Sequence, residues 1–377
     1  MDLGGADRQV MLLARELKRR GHMVRVVSLL PGGDMADDLK GDAVQVDSLG
    51  FNRKFELPKA VAQLRAQIRT FQPDVVHAHM FHANMLARIT RLFTPVDAVV
   101  STSHNVYESD PHQGSLREVT ARERLYRLTD FLSEITTNVA QVGTDRYVRV
   151  GAVPKEKSKT IHQGMDVSKF HKDSAARERI RSQQDIGEKE FVWLAVGTLT
   201  EQKDFTTLLK AVAKQPASGK VWILGKGKLR SNLEQLTSEL GIKNRVQFHG
   251  SVPPNKVRGY MNAADAFVLS SRWEGMPLVL LEAMACELPI VSTRSGGSEE
   301  LVNHGETGLL VPTQSPNELA RGMEQLMETD EQYRHKMGHS GRERVVKHFS
   351  IESIADEWEN IYHTVTSGEK TRTAGDI

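Results

Sequence analysis

This sequence predicts an α/β fold of doubly wound parallel sheets in two domains, and three observations carry the prediction. Short apolar runs alternate with amphipathic helical stretches along most of the chain, which is the pattern of parallel strands with helices on both faces of the sheet. The length of 377 residues exceeds one domain of roughly 100–200 residues. The alternation breaks once, over the charged stretch 171–189, and the domain boundary is placed there.

The elements follow in order. Val10, Leu12, Leu13 and Leu17 recur at helical spacing, so a helix is expected over 6–20, ended by Gly21, with a buried strand over 23–30. Next come a strand at 43–49, a helix at 57–71, a strand at 74–79, a helix at 81–93 and a strand at 98–103. A polar stretch over 105–115 leads to a helix ending at Leu128, a short strand at 135–138 and a last apolar step at 160–162. The stretch 171–189 reads as weakly structured. The second half then alternates strands at 191–196, 221–225, 246–249, 266–269 and 290–292 with helices at 205–213, 229–240, 255–263 and 277–286. Residues 316–366 read as helical, and 366–377 as a frayed polar end. The expected domains are 1–170, 171–350, and a helix from 351 that packs back on the first domain before a polar tail ending at 377.

Composition excludes several function classes. With 39% hydrophobic and 26% charged residues, the chain is neither disordered nor membrane-embedded. Lys+Arg at 50 against Asp+Glu at 48 gives a net charge of +2, which argues against a nucleic-acid partner. A single cysteine, Cys286, excludes an intrachain disulfide and a thiolate zinc cluster and suits a reducing compartment. No apolar run reaches the ~18–20 residues needed to span a bilayer, so a cytoplasmic location is expected. Arg117, Arg122, Arg124 and Arg127 alternate with Leu116, Val119, Leu125 and Leu128. That pattern fits either a solvated helix face or contact with the anionic inner surface of a membrane.

The chemistry concentrates in the run from Ser270 to Ala283, which joins a strand end to a helix. Seven residues separate Glu274, in the turn, from Glu282, inside the helix. The first helical turn has unpaired backbone N–H groups and the positive end of the dipole, so an anion such as a phosphate suits it. Flanking carboxylates are better hydroxyl acceptors than phosphate ligands, which points to a sugar or ribose. Upstream, Gly197 to Asp204 follows the first strand of the same domain and sets Lys203 just before a helix. Gly225-Lys226-Gly227 and Gly296-Gly297 follow later strands. Three glycine turns and a lysine therefore gather at the carboxyl ends of parallel strands, where open α/β sheets bind ligands.

This run resembles the E-x7-E pattern of the retaining glycosyltransferases of family 4, which have the GT-B architecture of two facing Rossmann-like domains. Other pieces match in order: Gly4-Gly5-Ala6, His77-Ala78-His79, Ser103-His104-Asn105, Gly164-Met165-Asp166, Gly197 to Lys203, Gly225 to Gly227, Val246 to Gly250, and Gly296 to Glu300 followed by Gly305 to Leu309. The resemblance implies catalytic roles for His104, Glu274 and Lys203. Glu274 would hold donor-sugar hydroxyls with the backbone of Gly275 and Met276, and Lys203 would neutralise the leaving nucleoside diphosphate. Leu278 and Val279 would offer amides to the diphosphate, Glu282 would bind the ribose, and the backbone around Phe248 would edge the base. Gly5, Gly197, Thr198, Gly225, Gly227 and Gly250 complete the implied donor-binding set. His104 would project into the interdomain crevice beside the reacting sugar. No D-x-D run occurs, and His77, His79 and His82 lack a fitting further ligand, so no metal and no cofactor beyond the nucleotide-sugar co-substrate are expected.

Thr198 stands where many family members carry an arginine, a loss that Lys226 would offset. Gln163 replaces a frequent asparagine, and Asp204 a frequent glycine or asparagine. Family members begin with an apolar strand before the first glycine turn, whereas three residues precede Gly4 here. The first strand of the N-terminal domain is therefore expected to be missing, the start lying roughly 8–12 residues late. The resemblance implies transfer of a hexose or N-acetylhexosamine from a nucleotide-diphosphate sugar, UDP before GDP, to a glycan or lipid-linked acceptor in bacterial surface polysaccharide synthesis. The alternatives are a sugar-nucleotide 2-epimerase of the same shape and a degenerate sugar-nucleotide-binding protein.

Overall fold

The computed structural model describes residues 5–31, 41, 44–51, 56–104, 119–215 and 219–367. The chain divides into two compact units, one comprising Met1–Gly164 with Ile351–Ile377 and the other Met165–Ser350.

The first unit runs α1 (Gly5–Arg19), β1 (Arg25–Ser28), β2 (Gln45–Ser48), α2 (Leu57–Phe71), β3 (Val75–His79), α3 (Phe81–Arg91), β4 (Ala98–Ser103), α4 (Ala121–Leu128), β5 (Ile135–Asn138), α5 (Gln141–Arg149) and β6 (Ser158–Thr160). Its strands form two separate parallel sheets, β1-β2 and β3-β4-β5-β6. All six residues of β4 are buried, as a strand with partners on both sides requires, whereas β3 is mostly half-buried. Among the described residues no strand bridges β1 and β3. The polar stretch 105–115 lies outside the described residues.

The second unit runs α6 (Ser174–Gln183), β7 (Phe191–Val196), α7 (Phe205–Val212), β8 (Gly219–Leu224), α8 (Arg230–Glu239), β9 (Val246–Gly250), α9 (Pro254–Ala263), β10 (Ala266–Leu269), α10 (Leu278–Ala285), β11 (Ile290–Thr293), α11 (Gly297–Leu301), β12 (Gly308–Val311), α12 (Pro316–Glu328) and α13 (Glu331–His348). Its six strands make one parallel sheet in the order β12-β11-β10-β7-β8-β9. Trp193, Val221, Ile223 and Val268 enter one buried cluster, while their alternating neighbours Val192, Leu194, Trp222 and Phe267 are equally buried. Both faces of this sheet are therefore covered, which explains why its strands read as unbroken apolar runs. The last helix, α14 (Ile351–Thr366), returns to the first unit, where Trp358 and Ile361 pack with Leu13, Leu17 and Val100.

Three expectations need correction. The stretch 171–189 is not weakly structured: Asp173 caps α6, its carboxylate accepting from Ala176 N at 2.9 Å. Arg177 and Arg181 then bind the Asp265 carboxylate at 2.5 and 3.1 Å. These charges anchor the helix through a partner some 85 residues away, so no local apolar periodicity announces it. α5 was absent from the sequence reading because its buried face is made of Gly143, Thr144, Arg146 and Tyr147. Strand β12, four residues long, was also absent; it lies at the sheet edge, paired with β11.

The first unit contains a buried ion pair with a specific consequence. Glu123, fully buried, closes a capping box with Thr120 at the start of α4 and accepts from Arg146 Nε at 2.7 Å. Substituting Glu123→Ala strands the Arg146 charge in the interior, and the first unit is expected to lose about 3–5 kcal/mol. Urea denaturation measures that loss, and Glu123→Ala with Arg146→Met together should recover part of it.

Candidate active site

The connectivity of the second sheet decides where a ligand site forms. β7 and β10 are neighbours, and from them the chain winds outward in opposite directions, through β8 and β9 on one side and β11 and β12 on the other. The loops after β7 and β10 consequently diverge, leaving a crevice at the carboxyl ends of the strands. Lys203 belongs to the loop after β7, and Glu274 to the loop after β10.

These two residues meet. Lys203 Nζ donates to Glu274 Oε1 at 2.6 Å, with side chains only 17% and 6% exposed. Ser271 Oγ donates to the same carboxylate oxygen at 2.5 Å, and Ser270 Oγ holds the Lys203 carbonyl at 2.9 Å. The backbone of Glu274 is fixed as well, its N–H donating to Ser295 O at 2.6 Å and its carbonyl accepting from Gly297 N at 3.3 Å. Asp204, in the left-handed region at φ 44°, caps α7 by accepting from Thr207 N at 3.3 Å. Lys203 is thus delivered at the start of that helix.

The glycines serve the backbone. A Cβ on Gly225, whose φ is +147°, would lie 1.9 Å from Gly197 O, and one on Gly227 2.4 Å from Leu199 O. A Cβ on Gly297 would lie 1.6 Å from Gly275 O. A Cβ on Gly197 would meet the Lys203 stem at 3.4 Å. The loops after β7 and β8 interlock, as do those after β10 and β11, and Gly225 N donates to Gly250 O at 2.7 Å to tie in β9. Gly197 therefore lies against Lys203 and Gly275 follows Glu274 in the chain, while Gly225, Gly227 and Gly250 tie the neighbouring loops to the one that carries Lys203.

The other sequence-predicted residues divide. Met276 is buried, while Leu278, Val279 and Glu282 are half-buried on the first two turns of α10, which has no side-chain cap at Pro277. Burial beside Glu282 pushes the Cys286 thiol up to about 12, so this lone cysteine is not a nucleophile. Thr198 is exposed. Phe248 lies in the middle of β9 under the Arg230 guanidinium, 4.6 Å from the ring centroid. Arg230 escaped the sequence reading because it is brought to Phe248 from the first turn of α8. Ser271 escaped it too; its adjacency to Glu274 was the available signal. Gly5 and His104 belong to the other unit, Gly5 exposed at the start of α1.

In the first unit His104 joins a histidine array. Gln163 Nε2 donates to His104 Nδ1 at 2.9 Å, which leaves the proton of the neutral ring on Nε2 to be donated to His79 Nδ1 at 3.0 Å. The parallel register pairs His79 with Thr102, so His104 lies just beyond that pair on the adjoining strand end. His77 completes the stack, 4.0 Å from the His79 ring, with Tyr362 OH and Thr102 Oγ1 each 2.7 Å from its nitrogens. Gln163 is held in turn through Gly164, which exchanges two hydrogen bonds with the Gln9 amide of α1 at 2.6 and 2.9 Å. Burial pulls His104 down to about 4 and His77 to about 3, and holds His79 well below its ordinary value, with neighbouring histidines adding to the effect on His77 and His79. Both His104 nitrogens are engaged inside the unit. Sequence alone marks neither His79 nor Gln163 as a partner of His104; strand pairing brings them to it. Among the described residues no group of three or more histidine, cysteine or acidic side chains is arranged to hold a metal ion.

Comparison with known proteins places these features in context. Residues 176–344 match the family described as Glycosyl transferases group 1, and residues 3–169 match Glycosyltransferase Family 4. The lipopolysaccharide core biosynthesis glycosyltransferase LpsE of Rhizobium meliloti is 28% identical over 94% of both chains. The GDP-mannose-dependent alpha-(1-6)-phosphatidylinositol monomannoside mannosyltransferase of Mycobacterium tuberculosis is 28% identical over 62% of this chain and 63% of its own length. Among solved structures, Anabaena Alr3699/HepE in complex with UDP superposes with a TM-score of 0.84 at 22% identity, covering 96% of each chain.

The histidine array makes stability pH-dependent with a definite sign. An unfolded histidine takes up a proton near its ordinary value of about 6.5, whereas the folded array stays neutral to well below that. Stability is therefore complete above about pH 7 and falls as the pH drops towards 4, by up to about 1.4 kcal/mol per pH unit for each histidine kept neutral. Urea denaturation across pH 7.5 to about 4.5 checks this, and His77→Gln should flatten the slope.

Proposed function

The chain belongs to the group 1 glycosyltransferases of family 4 and is a transferase enzyme of GT-B fold, and on that premise we propose which sugar it moves and how. The donor is a nucleotide-diphosphate sugar carrying a hexose or N-acetylhexosamine. The acceptor is a glycan or lipid-linked glycan in the synthesis of bacterial surface polysaccharide. Similar proteins support this reading: one acts in lipopolysaccharide core biosynthesis, one is GDP-mannose-dependent, and one was solved in complex with UDP-glucose. UDP is the first candidate and GDP the second.

The observation that carries the reading is the Lys203–Glu274 pair at the switch point of the second sheet, 2.6 Å apart and backed by Ser271. Breaking a glycosyl–phosphate bond deposits negative charge on the departing diphosphate. A fixed ammonium aimed at that charge is the largest aid a protein offers when no divalent ion takes part. In this reading Lys203 turns from Glu274 to the diphosphate when donor binds, and Glu274 is freed to accept from the sugar hydroxyls. The amides of Leu278 and Val279 face the same diphosphate with the helix dipole behind them. Glu282, about one turn into α10, accepts from the ribose hydroxyls, and the backbone near Phe248 edges the base.

Retention follows from attack on the face the diphosphate leaves. The bond from the anomeric carbon to phosphate oxygen breaks, the acceptor oxygen bonds to the same face, and its proton passes to a phosphate oxygen of the departing nucleotide. No enzymic nucleophile is required. His104, held neutral with its tautomer set by Gln163, keeps both ring nitrogens engaged inside the first unit. The transfer is independent of metal.

Incubating purified protein with labelled UDP-glucose, UDP-N-acetylglucosamine and GDP-mannose, with and without acceptor glycans, tests the reading. Lys203→Ala and Glu274→Gln should each lower kcat by about 10²–10³-fold, with chelator leaving the rate unchanged. Product NMR should show the donor's anomeric configuration. Inverted product, or a rate that vanishes with chelator, overturns the mechanism, and reversible isomerisation without acceptor indicates an epimerase.

A further inference from the structure

We propose that Ser271 is a positioning residue of the transfer site: its hydroxyl holds the Glu274 carboxylate in place once Lys203 has turned to the diphosphate, and Thr293 on the neighbouring strand holds Ser271. The inference rests on the reading above, in which Glu274 accepts from the sugar hydroxyls. A group of hydroxyls out of keeping with the sheet that carries them points to it. β10 and β11 belong to a sheet covered on both faces, where apolar residues are favoured. Yet Ser270, Ser271, Ser292, Thr293, Ser295 and Ser298, at and just beyond their carboxyl ends, are each no more than 4% exposed. A buried hydroxyl destabilises the fold unless it is hydrogen-bonded, so this cluster does something that apolar side chains could not.

The hydroxyls converge on Glu274. Ser271 Oγ donates to Glu274 Oε1 at 2.5 Å, and Thr293 Oγ1 donates to the Ser271 carbonyl at 2.6 Å. Ser298 Oγ donates to Thr293 O at 2.6 Å and accepts from Ser295 N at 3.0 Å. Ser295 O in turn accepts from Glu274 N at 2.6 Å. Side chain and backbone of Glu274 are thus tied to the ends of both β10 and β11. The two donors on the carboxylate differ in kind. Lys203 reaches Oε1 at 2.6 Å on a flexible stem from another loop, and it is the partner for which a diphosphate competes. Ser271 stands three residues from Glu274 on the same loop, sealed from solvent and anchored from behind. Both donors go to Oε1, and among the described residues Oε2 has none, so Oε2 is the oxygen left for a sugar hydroxyl.

While Lys203 stays, removal of the Ser271 hydroxyl leaves the carboxylate held by the ammonium. Once the ammonium moves, a carboxylate with no other donor turns about its side-chain bonds and presents the sugar off the line that transfer needs. The loss then falls on the reacting complex, and so on kcat more than on KM, because the diphosphate and base contacts are untouched. A serine that merely filled space would behave otherwise. Its loss would act alike whatever group stood at position 274.

A double-mutant cycle on the full chain tests this, read as steady-state transfer from whichever of UDP-glucose, UDP-N-acetylglucosamine and GDP-mannose the parent turns over. Ser271→Ala should lower kcat by about 10- to 100-fold with donor KM within about threefold of the parent. Ser292→Ala removes an equally buried hydroxyl, bonded to Thr293 O at 3.1 Å and not to Glu274, and should leave kcat within about twofold. In the Glu274→Ala background, Ser271→Ala should add no more than about a further twofold. Ser271→Thr, which keeps the hydroxyl, should recover most of the rate. Losses that multiply in the double variant, equal losses from Ser271→Ala and Ser292→Ala, or a raised KM at parental kcat assign a packing role and overturn the proposal. Ser271→Ala at the parental rate beside a slow Glu274→Ala overturns this inference alone. Glu274→Ala as fast as the parent overturns the reading of the site together with it.

Discussion

Close approach of one loop backbone to another, tighter than any side chain at the contact permits, is the constraint on which the second unit rests. Gly225 lies against the carbonyl of Gly197, Gly227 against that of Leu199, and Gly297 against that of Gly275. Each contact locks a loop at the carboxyl end of one strand to the loop of its neighbour. With those loops fixed, the separate segments that carry Lys203 and Glu274 cannot drift, and a 2.6 Å ion pair forms across 71 residues of sequence. The glycines are consequently explained by packing before any ligand is considered. Their link to binding is indirect: they hold the crevice in shape.

The pair itself is economical chemistry. Two buried charges stabilise a fold poorly when judged against apolar replacements, because desolvation consumes most of their attraction. Lys203 and Glu274, kept together with Ser271 at the mouth of a crevice, are instead a cation and an anion each able to exchange its partner for one supplied by a ligand. The first unit handles polarity differently. There Arg88 spends its guanidinium on Ser101, Thr136, Thr129 and the Tyr126 carbonyl, and three histidines stand in a neutral array, His79 hydrogen-bonded to His104 and His77 packed against the His79 ring. The first unit thus disperses the Arg88 charge over neutral partners while pairing Glu123 with Arg146, and the second pairs Lys203 with Glu274 where a ligand can replace either partner.

Legibility followed locality. The strands at 191–196 and 266–269 have the bounds their apolar pattern specifies, since burial on both faces of a parallel sheet favours apolar residues at every position; those at 98–103 and 135–138 and the helix at 57–71 keep their bounds too, although both of these strands end in buried serine, threonine or asparagine. Helix α6 was missed because its stability comes from Asp265, far along the chain, and α5 because polar groups fill its buried face. Among site residues, Glu274, Lys203 and the glycine turns were visible because each lies at a strand end with its own punctuation. Ser271 and Arg230 in the second unit, and His79 and Gln163 as partners of His104, were invisible in those roles, because each is defined by what another loop or strand brings to it.

The sequence by itself determined the α/β class, most of the strands and helices in their order, and the family, because alternation of apolar runs and glycine-marked turns is a local property that survives without coordinates. Tertiary structure decided which groups meet. It set β7 beside β10 so that their loops diverge into a crevice, joined Lys203 to Glu274, and closed both nitrogens of His104 against Gln163 and His79. Each of these depends on strand order and helix docking, and contacts between residues far apart in sequence leave no periodic trace in the chain that makes them.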